Sequence, residues 1–208
     1  MLFLGRLPVR NEDTLEAKTF LRSISPSMRW RLLGVLPLTF FIAQTVHYWR
    51  INEMGNLLWM CNIGNLVLAL GLFFKQPVLI RISAIWTIPG LLIWLRYVVL
   101  AWGAFFTSTV VHVGGLLVGM TAVRKVGMDR NGRLYALVWY LLMQLLSRLF
   151  TSPNLNVNLA HKIQDGFEKS FSSYLTFWLT LTVVTGLLLW SVGLILYKIW
   201  PAHRHENP

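Results

Sequence analysis

Six apolar stretches, each near the length of a membrane-crossing helix and parted by short polar breaks, leave this chain little choice of medium. They run over residues 32–50, 55–74, 77–96, 103–123, 134–151 and 173–200. A bilayer core about 30 Å thick takes roughly 20 apolar residues as a helix, and within it each backbone N–H and C=O must find its partner inside the segment. The expected architecture is therefore all-α: a polytopic membrane protein in which residues 32–200 form a bundle of six transmembrane helices. A cytoplasmic amphipathic segment, 1–31, would precede the bundle, and a cytoplasmic tail, 201–208, would follow it. Only 13% of the 208 residues are charged and ten are Trp, which leaves too little polar surface for a water-soluble domain of this size.

The net charge of +11 suggests nucleic acid until the cations are placed on the topology. If the N-terminus lies inside, the cytoplasmic side carries Arg6, Arg10, Lys18, Arg22, Arg29 and Arg31 ahead of the first span. It also carries Lys75, Arg81, Arg124, Lys125, Arg130, Arg133, Lys198 and Arg204. The other side holds only Arg50, Arg96, Arg148, Lys162 and Lys169. This asymmetry follows the positive-inside rule and places both termini in the cytoplasm. Anionic lipid then accounts for the basic charge, and no nucleic-acid partner is expected. Residues 1–31 are polar and basic, not a short apolar stretch before a cleavage site, so no signal peptide is expected. One cysteine excludes an internal disulfide and a cysteine-rich metal site.

Along the chain, residues 11–24 have the period of a short surface helix, with Asn11 at its start and Ala17, Phe20, Leu21 and Ile24 on one face. Polar groups then gather where hydrocarbon accommodates them least. The stretch His47–Asn65 contains His47, Glu53, the single Cys61 and the amides Asn52, Asn56, Asn62 and Asn65. At 100° per residue Leu58, Cys61, Asn62, Asn65 and Ala69 share one helix face. In the fourth segment Ser108, His112, Gly115 and Gly119 form a single stripe, whose glycines allow another helix to approach closely. Tyr140, Gln144 and Arg148 are spaced i, i+4, i+8 in the fifth, which runs into Ser152-Pro153-Asn154-Leu155-Asn156 and then His161. With odd segments running outward and even ones inward, these groups fall in the outer half, Cys61 and His112 at comparable depth. A polar pocket opening away from the cytosol, between the first, second, fourth and fifth spans, is the expectation.

Leu58-Trp59-Met60-Cys61-Asn62, Gly127-Met128-Asp129-Arg130 and Ser152-Pro153-Asn154-Leu155-Asn156 together resemble a family of uncharacterised bacterial integral membrane proteins of similar length. More distantly, an intramembrane Cys, a later His and an Asn-x-Asn after the fifth span are similar to the YwaF-like bacterial membrane proteins and to eukaryotic membrane acyltransferases. That resemblance implies Cys61 as the acyl-carrying nucleophile and His112 as its base. Asn62 departs from it, since an acidic residue would be expected after the Cys.

The residue types fit that chemistry: a thiol attacks an ester when a base stands beside it and a polar group steadies the oxyanion. The leading expectation is a lipid acyltransferase or acyl-ester hydrolase. In it Cys61, His112 and Asn156 would be catalytic, and His47, Glu53, Asn62, Asn65, Ser108, Gln144, Arg148 and Asn154 would bind a membrane lipid, Arg148 at its headgroup. No cofactor or metal is required. Two other classes stand beside it. One is a non-enzymatic lipid-binding or assembly subunit that packs against partner membrane proteins. The other is a metal or haem protein using His47, His112, His161 and Glu53, although no close ligand spacing such as H-x-x-x-H occurs.

Overall fold

The computed structural model describes residues 25–101 and 106–202. Among them the chain is helical throughout, with one isolated bridge pairing Met128 and Pro201 in place of any strand. The surface helix expected over 11–24 lies outside the described residues. Six main helices follow in order: α1 Pro26–Arg50, α2 Met60–Phe73, α3 Pro77–Ala101, α4 over 106–126, α5 Gly132–Phe150 and α6 Tyr174–Ile199. Short 3₁₀ turns at Met54–Leu58 and Val157–Leu159 interrupt the connections.

Four helices, Ser27–Arg50, Pro77–Val99, Phe106–Val126 and Tyr174–Ile199, are long and apolar enough to cross a membrane. They identify the chain as a membrane protein. α1 starts earlier than the apolar run because Pro26 supplies a fixed φ at the first position and Ser25 Oγ accepts the Met28 N–H at 3.3 Å. α2 has 14 residues and so spans about 21 Å, short of a bilayer core. α5 is long enough, but Arg133, Gln144 and Arg148 dilute its apolar surface.

α3 organises the bundle, because it packs against α2, α4, α5 and α6. One core cluster joins Ile82, Ile85 and Trp86 of α3 to Ala136, Tyr140 and Met143 of α5 and Leu189, Val192 and Leu196 of α6. Trp86 stacks on Tyr140 with ring centroids 5.7 Å apart and donates Nε1–H to the Ala136 carbonyl at 3.1 Å. A second cluster, Leu68, Leu72, Ile80, Val118 and Ala122, fastens α2 and α4 to the near end of α3. Large apolar side chains such as Leu92, Leu117, Val183 and Leu187 remain exposed around the outside, as a lipid-facing surface requires.

At the α4–α5 turn Arg81 binds Asp129 in a salt bridge, and its Nε donates to the Gly127 carbonyl at 2.8 Å. Met128 N–H reaches the Trp200 carbonyl at 2.7 Å and Ala202 N–H returns to Met128 at 2.8 Å. The chain end after α6 is thereby latched to that turn. The opposite end of the bundle carries the 151–173 connection, and there the polar side chains collect.

Candidate functional site

The start of α2 is fixed by a residue from far along the chain. Trp59, at φ −55° and ψ 134°, breaks the run after the 3₁₀ turn, so the helix begins at Met60 and Cys61 stands in its first turn. Sequence periodicity places Cys61 well inside a span opening near residue 55; the break at Trp59 puts it at a helix end instead. The Met60 N–H, otherwise an orphan of that first turn, donates to Asn158 Oδ1 at 3.0 Å. Asn158 Nδ2 donates to the Leu58 carbonyl and to Ser147 Oγ, both at 2.8 Å. A single amide thus joins α2, α5 and the long connection, held in a left-handed conformation (φ 53°) that Asn tolerates.

Cys61 is half-buried, with Sγ 3.8 Å from Asn62 Oδ1. Asn62 Nδ2 donates to the Asn56 carbonyl at 3.0 Å, which ties the thiol's neighbour to the preceding turn. One turn on, Asn65 Nδ2 donates to two carbonyls, Cys61 at 2.8 Å and Val111 of α4 at 3.1 Å. Both acceptors lack hydrogens, so the amide orientation is determined and Oδ1 points elsewhere.

His112 lies in a five-residue π-helical turn, Val110–Gly114, inside α4. Such turns are uncommon and cluster at functional positions. Its Nδ1 is 2.8 Å from the Ser108 carbonyl, which can only accept, so in the neutral ring Nδ1 carries the proton and Nε2 offers a lone pair. The ring stacks on Trp94, 5.3 Å between centroids and 17° from parallel, and Trp94 Nε1 donates to Ser108 Oγ at 2.9 Å. The imidazole is held from two directions. Close packing of α4 depends on two adjacent glycines: a methyl at Gly114 would lie 2.6 Å from the Phe40 ring, and one at Gly115 2.8 Å from Asn65 Oδ1.

These elements border one small, partly open cavity of about 10 Å³. Cys61, Gly64 and Asn65 of α2, Ser83 and Gly90 of α3, and His112 of α4 contribute to its lining. Asn65 is 2% and Ser83 1% exposed, yet Asn65 Oδ1 and Ser83 Oγ have no hydrogen-bond partner among the described residues. The cavity is therefore lined by residues that carry a thiol, an imidazole, an unpaired amide oxygen and an unpaired hydroxyl.

The other expected site residues lie elsewhere. Asn156, in a left-handed conformation, accepts the N–H groups of His161 and Lys162 on Oδ1 at 3.1 and 3.0 Å and donates to the Lys162 carbonyl at 3.2 Å. It shapes the connection and does not line the cavity. Asn154 is exposed, with its backbone N–H 3.4 Å from Ser152 Oγ. Gln144 joins Tyr140 hydroxyl (2.7 Å), the Asn158 carbonyl (3.1 Å) and Trp178 Nε1, which donates to its Oε1. Arg148 is exposed, donates Nη1–H to the Ala160 carbonyl at 2.7 Å and sits over the Tyr174 ring. Glu53 accepts from Asn56 Nδ2 at 2.6 Å, and His47 packs edge-on to Tyr48. His161 Nε2 lies 3.1 Å from Thr151 Oγ1. Among the described residues no three of His, Cys, Asp and Glu come together in a way that could hold a metal ion.

Sequence reasoning passed over Ser83, Gly64, Gly90 and Asn158. A signal for three of them exists: Ser83, Thr87 and Gly90 are spaced i, i+4, i+7 in an otherwise apolar helix, and Gly64 adjoins the polar face of α2. No family model matches this chain, and neither a curated protein nor a solved structure is significantly similar to it.

Proposed function

We propose that this protein transfers or hydrolyses acyl groups on a membrane lipid, with Cys61 as the nucleophile and His112 as its base. The observation that carries the reading is the shared cavity. Cys61 and His112, 51 positions apart in sequence and on different helices, line the same cavity. The imidazole is anchored through Nδ1 and turns Nε2 away from that anchor, the arrangement a general base requires. In the acylation step Sγ attacks the ester carbonyl carbon while His112 Nε2 takes the thiol proton. The tetrahedral adduct then collapses, the lipid oxygen departs with the proton from His112, and the acyl group remains as a thioester on Cys61.

The remaining parts of the reading follow from charge and hydropathy. All six helices cross a bacterial inner membrane, α2 together with its preceding 3₁₀ turn, and both termini are cytoplasmic. The cavity then lies in the outer half, within reach of lipid esters. Arg148, exposed at that end, contacts the headgroup. Asn156 and Asn158 position the connection and the start of α2 without touching substrate.

The test is a pulse of the purified protein in detergent with p-nitrophenyl palmitate, followed by intact-protein mass measurement. A hydroxylamine-labile palmitoyl adduct is expected on the native chain and absent from Cys61→Ala. In His112→Gln it forms on the order of 100-fold more slowly, the usual contribution of a positioned base. Equal adduct formation in Cys61→Ala would remove the nucleophile and leave a lipid-binding or assembly role as the better account.

A further inference from the structure

Asn65 and Ser83 both line this cavity, and each carries a polar atom that has no place in the acylation step. Asn65 Oδ1 and Ser83 Oγ are buried on facing helices without a partner among the described residues, and an unpaired buried polar group costs free energy in any protein. The Asn65 amide nitrogen is committed to two carbonyls, so its oxygen can only receive a hydrogen. Ser83 can donate one. His112 Nε2 contributes a lone pair. The complement of these three groups is a molecule with two hydrogens to give and a lone pair to receive a third, leaving one lone pair free.

Size points the same way. About 10 Å³ is the room that one water centre occupies, whereas pockets enclosing drug-sized ligands run to roughly 300–1,000 Å³. The space is kept by residues without side chains: a methyl placed at Gly64 would meet nothing within 4 Å, and one at Gly90 only the Cys61 Cβ at 4.0 Å.

We propose that this subsite binds the water that releases the acyl group from Cys61 as a free carboxylic acid, so that the protein is a hydrolase. The inference rests on the reading of Cys61 as acyl carrier. Water donates one hydrogen to Asn65 Oδ1, accepts one from Ser83 Oγ and gives its other proton to His112 Nε2 as its oxygen attacks the thioester carbonyl carbon. The carbon–sulfur bond then breaks and the departing sulfur recovers the proton from His112. The products are the carboxylic acid and the free thiol. Asn65 and Ser83 act by placing the nucleophile, and an alcohol, with a single hydrogen to give, would leave Asn65 Oδ1 unpaired.

The experiment follows the decay of the palmitoyl adduct after excess p-nitrophenyl palmitate has been removed, in detergent without any lipid acceptor. In the native protein the adduct decays in water alone. In Ser83→Ala it decays about tenfold more slowly and accumulates, while the melting temperature holds, because that hydroxyl has no protein partner to lose. Gly64→Ala, which narrows the same space, slows decay as well. An adduct that persists in the native protein until lysophosphatidylcholine is added, or decay in both variants at the native rate, overturns the hydrolytic subsite while leaving Cys61 as acyl carrier. Failure of the native protein to form any adduct overturns the reading of Cys61 itself.

Discussion

Gly115 and Gly64 both face α-helical neighbours in the interior, yet the two positions make opposite demands. At Gly115 the place of a side chain is taken by the Asn65 amide, 2.8–3.0 Å from where a methyl would stand. Gly115→Ala would push that amide off the Cys61 and Val111 carbonyls, and we expect a loss of about 2–3 kcal/mol, the cost of unsatisfied buried groups plus overpacking. Gly64→Ala meets open space and gains helix propensity, so it should stabilise by about 0.5–1 kcal/mol while impairing turnover. Thermal melts of the two variants in one detergent check the pair; a shift of the same sign in both would contradict the packing described. The stripe of Ser108, His112, Gly115 and Gly119 was legible in the sequence because its spacing is that of one helix face. Ser83 shares such a face with Thr87 and Gly90, but hydroxyls in an apolar helix can bond back to their own backbone while facing lipid, so that spacing alone did not point to a cavity.

At the level of elements, the placement of Cys61 hinges on the break before α2 and on the connection that secures it. Residues 54–58 are mostly apolar, so hydropathy continues the helix through them, but the backbone turns tighter there and Trp59 redirects the chain. No composition signal marks that change, which is why the start of α2 was misplaced while its polar face was read correctly. Its anchor, Asn158, was hidden among three alternating asparagines, only a tertiary contact distinguishing it from Asn154 and Asn156. Asn158→Ala removes the acceptor for Met60 N–H and the donor to Leu58 and Ser147, in a site only 8% exposed. A destabilisation of about 2–4 kcal/mol is expected from losing this network, with slower acylation because the α2 start is released. Retained stability with unchanged acylation would show that the connection does not position Cys61. The latch at the opposite end gives an independent comparison. Gly127 has φ 69° and a methyl there would lie 2.5 Å from Ala202 Cα, so Gly127→Ala should cost about 1–3 kcal/mol and leave the cavity chemistry in place.

For the molecule as a whole, a six-span bundle differs from a four-span one by α2 and α5, which both lie outside the set of four helices long and apolar enough, and α5 is the one that decides where the last two connections lie. It buries Ala136, Tyr140, Met143, Gln144 and Ser147 against its neighbours while Leu134, Val138, Leu145 and Leu149 remain exposed. That outer face is apolar, and Arg133 and Arg148 sit near its two ends, where their long stems can carry the charge to an interface. Gln144, the polar group in its middle, is turned inward and bonded, so the helix as packed presents hydrocarbon between its two arginines. The α4–α5 turn and the α5–α6 connection should then lie on opposite sides of the membrane. In a Cys61→Ser background, Lys162→Cys should react with an impermeant maleimide on intact cells, while Arg130→Cys should react only after permeabilisation. Both positions are exposed, so neither signal depends on unfolding. If the two label from the same side, α5 does not cross, the cavity loses its assigned depth, and the route for a lipid ester to Cys61 has to be sought from another face of the bundle.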